Sequence, residues 1–323
     1  MTLRVAVWGL GPHAVRNVLP AVAQARGMAL HGVYSRNPEV VSAACAQYGC
    51  ARWESAQAML ADAEVDAVYL STPISLHAAQ GQEVLRAGKH FWCEKPIATR
   101  VDEAEALCTL SRGRGVTVAE GFMYLYHPHF ARLREMVAGG GIGRVVSVVC
   151  RFGIPPLDRP SFRNDPALGG GAFLDVGSYP LSAVVGLFPD VDPEVTLAEI
   201  DTAPGSAVDT AGSALLRYPG GARAYLEWKT GVGYRNEIDV WGDAGSVSTE
   251  RIFSKAADYV PRFRVLDRTG RETVEEGRAG NHFVTMLETF RGLVDDTAAA
   301  ERERQLIARR ARLVGHVRDR STP

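Results

Sequence analysis

The chain opens on a short run, Leu3 to Trp8, closed by Gly9-Leu10-Gly11-Pro12-His13-Ala14 and followed by apolar residues at helical spacing, Val15, Val18, Leu19 and Val22. A run of that length before a glycine turn is a buried strand, and steps of three and four are the period of a helix. The alternation recurs: residues 30–34 predict a strand, 40–48 a helix, 65–70 a strand, 76–87 a helix and 90–93 a strand. Short apolar strands separated by helices build a parallel sheet covered on both faces, with ligands at the carboxyl ends of its strands. After Gly121 the pattern changes. One helix, 130–138, precedes longer strand-like runs at 145–152, 210–218, 222–230, 236–241, 246–252 and 262–266, separated by turns such as Pro219-Gly220-Gly221. These predict a large open, mainly antiparallel sheet with helices on one side. The fold class is α/β: a doubly wound parallel sheet in residues 1–122 and an α+β domain in 123–323. A length of 323 residues is too great for one ordinary core and agrees with two domains.

The turn after the first strand matches G-x-G-x-x-G/A. Gly9 makes the tight turn, Gly11 lets backbone approach a pyrophosphate, and Ala14 stands in the third small place. Leu10, Pro12 and His13 complete a loop whose amides, with the positive end of the next helix, suit a diphosphate. The region is therefore expected to be a Rossmann domain. The end of the second strand sets the cofactor, because a carboxylate there accepts ribose hydroxyls and a cation accommodates a 2′-phosphate. Ser35 and Arg36 stand at that end, with no acid, which favours NADP(H), NAD(H) being the second option. The competing reading is that Arg36 is a solvated loop cation paired with Glu39.

A formal net charge of −1 gives no field for nucleic acid or anionic membranes, and no apolar stretch approaches 20 residues. Cys45, Cys50, Cys93, Cys108 and Cys150 form no Cys-x-x-Cys pair and read as small buried hydrophobes in a reducing, cytoplasmic compartment. The start of the chain has no charged-then-apolar leader, which points the same way. His127-Pro128-His129 lacks a spaced carboxylate or cysteine to complete a metal site, so no metal is expected. Leu306, Ile307, Leu313, Val314 and Val317 form a helical stripe in the arginine-rich tail, which reads as a docked helix with a solvated basic face.

Further motifs carry a resemblance. Leu70-Ser71-Thr72-Pro73-Ile74-Ser75-Leu76-His77 precedes Cys93-Glu94-Lys95-Pro96; then come Ala119-Glu120-Gly121-Phe122-Met123-Tyr124, the pair Phe162-Arg163, and Gly169-Gly170-Gly171-Ala172-Phe173-Leu174-Asp175-Val176-Gly177-Ser178-Tyr179. In this order they resemble the Gfo/Idh/MocA family, which contains glucose-fructose oxidoreductase and inositol dehydrogenase. The resemblance implies hydride transfer between a nicotinamide and a sugar-like carbonyl or alcohol. It implies Lys95 as the catalytic cation, Tyr179 as the proton donor and Asp175 as a third catalytic residue. It also places Ser71, Thr72, Pro73, His77, Glu94 and Arg163 with the cofactor, His77 ordering the turn. Phe162 stands where reductase branches often have Trp. A dimer or tetramer joined through the C-terminal sheet is implied as well. Tyr234 to Gly242 and Arg251 to Ser254 look most like the branch of nucleotide-linked sugar 3-ketoreductases, for which Arg159, Arg163 and Arg235 are candidate phosphate cations.

On the residues themselves, Asp175 and Tyr179 are four apart and share a helix face if Asp175 opens a helix, although Asp175 could simply cap it and Tyr179 could be core. A phenol near an ammonium can protonate the alkoxide that hydride addition leaves. Two other functions compete. A redox glycosidase or lyase would hold NAD tightly and turn over without net cofactor use, and a non-catalytic sensor would bind dinucleotide without needing Lys95 or Tyr179.

Overall fold

The computed structural model describes residues 2–156 and 161–322. It divides into two units. The first comprises Met1–Gly121 and Phe283–Ala308, the second Phe122–His282 and Arg309–Pro323. A single cut after residue 122 would put everything downstream into the second domain, whereas 283–308 returns to the first.

In the first unit six strands form one parallel sheet: β1 (Leu3–Trp8), β2 (Met28–Tyr34), β3 (Ala51–Arg52), β4 (Ala67–Leu70), β5 (His90–Cys93) and β6 (Val118–Glu120). Their order is β3-β2-β1-β4-β5-β6, so the winding reverses between β1 and β4. That reversal opens a crevice at the carboxyl ends of the strands. Val5, Ala6 and Val7 of β1 and all four residues of β4 are buried, as strands covered on both faces must be. The connecting helices are α1 (Leu19–Gln24), α2 (Pro38–Tyr48), α3 (Ala56–Ala61), α4 (His77–Arg86) and α5 (Val101–Arg114). A wide π-turn, Ala14–Val18, precedes α1 directly after the glycine loop.

The second unit contains α6 (Pro128–Ala138), α7 (Ser178–Leu187) and a nine-stranded sheet. Its strands are β7 (Val145–Ile154), β8 (Glu194–Asp201), β9 (Ala211–Arg217), β10 (Arg223–Thr230), β11 (Arg235–Gly242), β12 (Gly245–Glu250), β13 (Arg262–Asp267), β14 (Glu272–Glu276) and β15 (Ser321–Thr322). The order is β14-β13-β12-β11-β7-β10-β9-β8-β15, antiparallel except where β7 meets β10 and β15 meets β8. Strand alternation puts Cys150, Phe152, Leu226, Trp228, Ile238 and Val240 on the buried face. Two long helices follow, α8 (His282–Asp295) and α9 (Thr297–Arg320).

Candidate functional site

The carboxyl edge of the parallel sheet is stitched by main-chain hydrogen bonds that continue the ladder beyond the strands. Gly9 N donates to Tyr34 O (2.8 Å), Ser71 N to Trp8 O (2.8 Å), Glu94 N to Leu70 O (2.9 Å) and Gly121 N to Cys93 O (2.7 Å). The expected glycine loop, Ser71-Thr72-Pro73 turn and Glu94-Lys95 step thus stand side by side. Gly9, at φ +97°, has no room for a side chain: a Cβ would lie 2.6 Å from Ser71 O. Gly11 differs, since a Cβ there would meet nothing within 4 Å. Its face is an open cradle at a helix start, which fits a dinucleotide diphosphate.

His13 ties the glycine loop to the Glu-Lys-Pro step. Its Nδ1 faces Asn17 Nδ2 at 3.2 Å and accepts, leaving Nε2 to donate to Glu94 Oε1 at 3.0 Å. Tyr69 donates to the same oxygen at 2.7 Å. Burial pushes the Glu94 carboxyl up, but the proximity of His13, the His13 and Tyr69 bonds and the charge of Lys95 outweigh it and hold it at about 2. Glu94 is therefore a fixed anion that organises the edge. Lys95 follows it, half-buried, in a cis Lys95-Pro96 step. Glu120, buried at the end of β6, accepts from Ile97 N at 2.9 Å and fixes the chain just beyond Lys95.

His77 sits between two carbonyls, Pro96 O on Nδ1 and Thr72 O on Nε2, each at 2.9 Å. The carbonyls favour a second proton, but burial dominates and lowers the pKa from the ordinary histidine value. A ring so enclosed clamps the Thr72-Pro73 turn to the Lys95-Pro96 step. Thr72 Oγ1 also donates to Gln80 Oε1 at 2.6 Å. At the end of β2, Ser35 is half-buried and Arg36 exposed. Arg36 makes no ion pair among the described residues; Glu39 lies in the first turn of α2, whose N-terminus Asn37 caps by accepting from Glu39 N and Val40 N.

In the second unit the glycine-rich segment opens the helix that carries Asp175 and Tyr179. A π-turn, Phe173–Gly177, leads into α7. Asp175 is buried inside that turn and does not cap it; it accepts from Arg163 Nε at 2.5 Å. The Arg163 guanidinium lies 4.9 Å from the Phe162 ring centre, so the Phe162-Arg163 pair and Asp175 form one assembly. Tyr179 is 8% exposed, boxed by the rings of Phe122, Tyr124, Phe152 and Phe253 at 5.1–5.8 Å, with its hydroxyl 3.8 Å from Met123 Sδ.

Asp209 has no motif around it, and nothing in the sequence marks it. Its carboxylate accepts from Phe173 N at 2.5 Å and its carbonyl from Ala172 N at 2.9 Å, so it holds the start of the Asp175 turn. Gly171, at φ +121°, makes this approach possible, because a Cβ would overlap Asp209 Oδ1. The tail departs from a simple stripe of apolar positions. Ile307, Leu313 and Val317 are buried as expected, yet Arg304 and Arg310 are buried too. Within the second unit, Arg310 lies over the Phe122 ring at 5.6 Å and Arg318 over Phe173 at 5.5 Å, so this basic face braces aromatic rings of the site.

Other expectations need correction. Cys93, Cys108 and Cys150 are buried, but Cys45 and Cys50 are half-exposed because they flank a helix end. Arg235 pairs with Glu237 at 3.4 Å, and Arg159 lies outside the described residues. No group of three or more His, Cys, Asp and Glu among the described residues is placed to hold a metal. His127 instead caps α6 by accepting from His129 N at 3.0 Å, and donates from Nε2 to Gly280 O at 3.1 Å. His129 Nε2 donates to Thr249 Oγ1 at 2.7 Å, since that hydroxyl is spent on Arg262 O.

Burial, then the charge of Lys255, pushes His127 down to about 4 and His129 to about 2. Both rings fold neutral but take a proton near 6.5 when unfolded. Their contribution is present above pH 6.5 and is lost as pH falls, toward 4 for His127 and toward 2 for His129, starting above the range in which the lowered carboxylates act. Urea unfolding should show stability falling by about 4 kcal/mol between pH 7 and 5, about half from each ring. The slope should flatten in His129→Gln; an unchanged slope in that variant would remove His129 from the account.

The geometry defines a class: a dinucleotide-binding oxidoreductase with a second domain built on an open sheet. Comparison with known proteins places it further. Residues 3–122 match the profile of the oxidoreductase family with an NAD-binding Rossmann fold, and residues 130–248 that of the GFO/IDH/MocA C-terminal domain. The chain belongs to the Gfo/Idh/MocA family of oxidoreductases. It is 36% identical to a dTDP-3,4-didehydro-2,6-dideoxy-α-D-glucose 3-reductase from Streptomyces violaceoruber, over 84% of this chain and 79% of that one. It is 37% identical to D-xylose 1-dehydrogenase (NADP(+)) 2 from Haloferax volcanii, over 68% and 67%. Its fold is that of a 3-ketoreductase from Actinomadura kijaniata solved with NADP and TDP-benzene, at TM-score 0.92 and 30% identity, covering 99% of this chain and 98% of that.

Proposed function

We propose that the protein is a cytoplasmic, NADP(H)-dependent reductase of a keto group on a sugar, with a nucleotide-linked keto-sugar as the favoured substrate class. The observation that carries this reading is the aligned carboxyl edge, where Lys95 follows the half-buried Glu94 anion beside the Gly9 and Ser71 loops. The cofactor, when bound, supplies the hydride. Gly9 to His13 would hold its diphosphate, and Ser35 with the exposed Arg36 its 2′-phosphate. Lys95 donates to the substrate carbonyl oxygen and stabilises the alkoxide; Tyr179 then gives up the proton. Asp175, held in place by Arg163, accepts from a substrate hydroxyl and sets its orientation.

Relatives support these roles. The Actinomadura 3-ketoreductase has also been solved with a lysine changed to alanine or glutamate and with a tyrosine changed to phenylalanine. The two substituted positions stand as far apart along that chain as Lys95 and Tyr179 do here.

Oligomerisation is part of the same proposal. One row across the outer face of the large sheet runs Leu197, Leu215, Tyr225, Val149, and Leu197 and Tyr225 are 51% and 47% exposed; Trp241 on β11 is 57% exposed. An apolar band on an open sheet suits a second copy of the chain.

Titration with NADPH and NADH, followed by the fluorescence of Trp8 at the end of β1, tests the cofactor assignment. Trp92 is the poorer probe, packed in the core 5.8 Å from Phe290. NADPH should bind at least tenfold tighter, and Arg36→Ala should erase most of that difference while leaving NADH affinity unchanged. Equal affinities in the unaltered protein would overturn the NADP(H) reading, and turnover of a sugar panel without net NADPH loss would replace reduction by a redox-lyase reaction.

A further inference from the structure

α2 ends in a reversal that brings two thiols together. Gly49 takes the left-handed conformation at φ +63°, and its N–H donates to Cys45 O at 2.9 Å, closing the last turn. After such a glycine the next residue folds back against the side chain one turn earlier, and here those residues are Cys50 and Cys45. Cys45 Sγ donates to Ala51 O, the carbonyl of the residue after Cys50, at 3.7 Å. The two thiols are near enough for Cys45 to help raise the pKa of Cys50. The other cysteines, Cys93, Cys108 and Cys150, are buried and apart from this pair, while Cys45 and Cys50 both reach solvent.

We propose that Cys45 and Cys50 form a reversible disulfide, a redox modification site at the far end of the helix that begins after Ser35 and Arg36. The oxidant is hydrogen peroxide. Burial, then the neighbouring Cys45, pushes the Cys50 thiol up to about 11, so Cys45 is the attacking group. The Cys45 thiolate attacks one peroxide oxygen and the O–O bond breaks; the departing hydroxide takes a proton and leaves as water, with Cys45 a sulfenic acid. The Cys50 sulfur then gives up its proton, attacks the Cys45 sulfur and displaces the hydroxyl as a second water. The two thiols lose two electrons and two hydrogens, and the peroxide is reduced to two waters. The new bond ties the end of α2 to β3, the edge strand paired with β2 at Gly32 and Val33.

Both cysteines lie in one tryptic peptide, residues 37–52, which makes the test direct. Native protein, reduced and desalted, is treated with hydrogen peroxide, denatured in iodoacetamide and digested. The peptide should refuse both carbamidomethyl groups and weigh two hydrogens less, and dithiothreitol should restore full alkylation. In Cys50→Ser the same peptide should gain oxygen instead. Full alkylation after peroxide, oxygen uptake without hydrogen loss in the unaltered chain, or loss of two hydrogens in Cys50→Ser would each overturn the proposal.

Discussion

Lys95→Ala should lower kcat by about 10³-fold and Tyr179→Phe by about 10²-fold, with NADPH affinity nearly unchanged in both. The lysine change removes a full charge from the oxygen on which negative charge develops, and that stabilisation grows toward the transition state. The tyrosine change removes only a proton donor. Its four ring neighbours remain packed against phenylalanine, so the unfolding midpoint of Tyr179→Phe should stay at that of the unaltered protein. A stopped-flow measurement of hydride transfer separates this from slow product release. Values of kcat near the original in both variants would refute the assignments; a loss confined to KM would make the residues binders.

Gly171→Ala should destabilise the second unit by about 3 kcal/mol and reduce turnover below a tenth. Two costs combine: a side chain at φ +121°, and a methyl group in the place of Asp209 Oδ1. If the carboxylate moves, Phe173 N loses its acceptor, and the turn carrying Asp175 loses its anchor. Gly11→Ala is the matched control, since its added methyl meets no protein atom; it should fold normally yet weaken dinucleotide binding. Similar unfolding midpoints for Gly171→Ala and the unaltered chain would show that Asp209 does not hold the loop.

The parallel sheet was legible because buried strands must be apolar and their turns need glycine. β1 and β5 lie where the pattern put them, and β2 and β4 differ by two residues at one end. β3, with two residues, and β6, with three, are too short to show a period. β14 escaped for another reason: Glu-Thr-Val-Glu-Glu is a charged, exposed edge strand, which resembles a loop. Among site residues, those in glycine-bearing motifs could be found because backbone constraint marks the sequence. Asp209 and Tyr69 could not, since each meets its partner only through the fold. The cysteine pair was hidden by the expectation that every thiol is core, although Cys-x-x-x-Gly-Cys at a helix end already contains the reversal.

The course of the chain between its units bears on protein engineering. Because the first unit takes back residues 283–308 after the second has been traversed, a chain truncated at residue 121 lacks two stretches of helix that belong to it. A chimaera made by one crossover near that point would pair each cofactor-binding half with a foreign C-terminal segment. Exchange of substrate specificity with a relative therefore calls for grafting residues 122–282 as an internal cassette, together with a matched C-terminal end from residue 309.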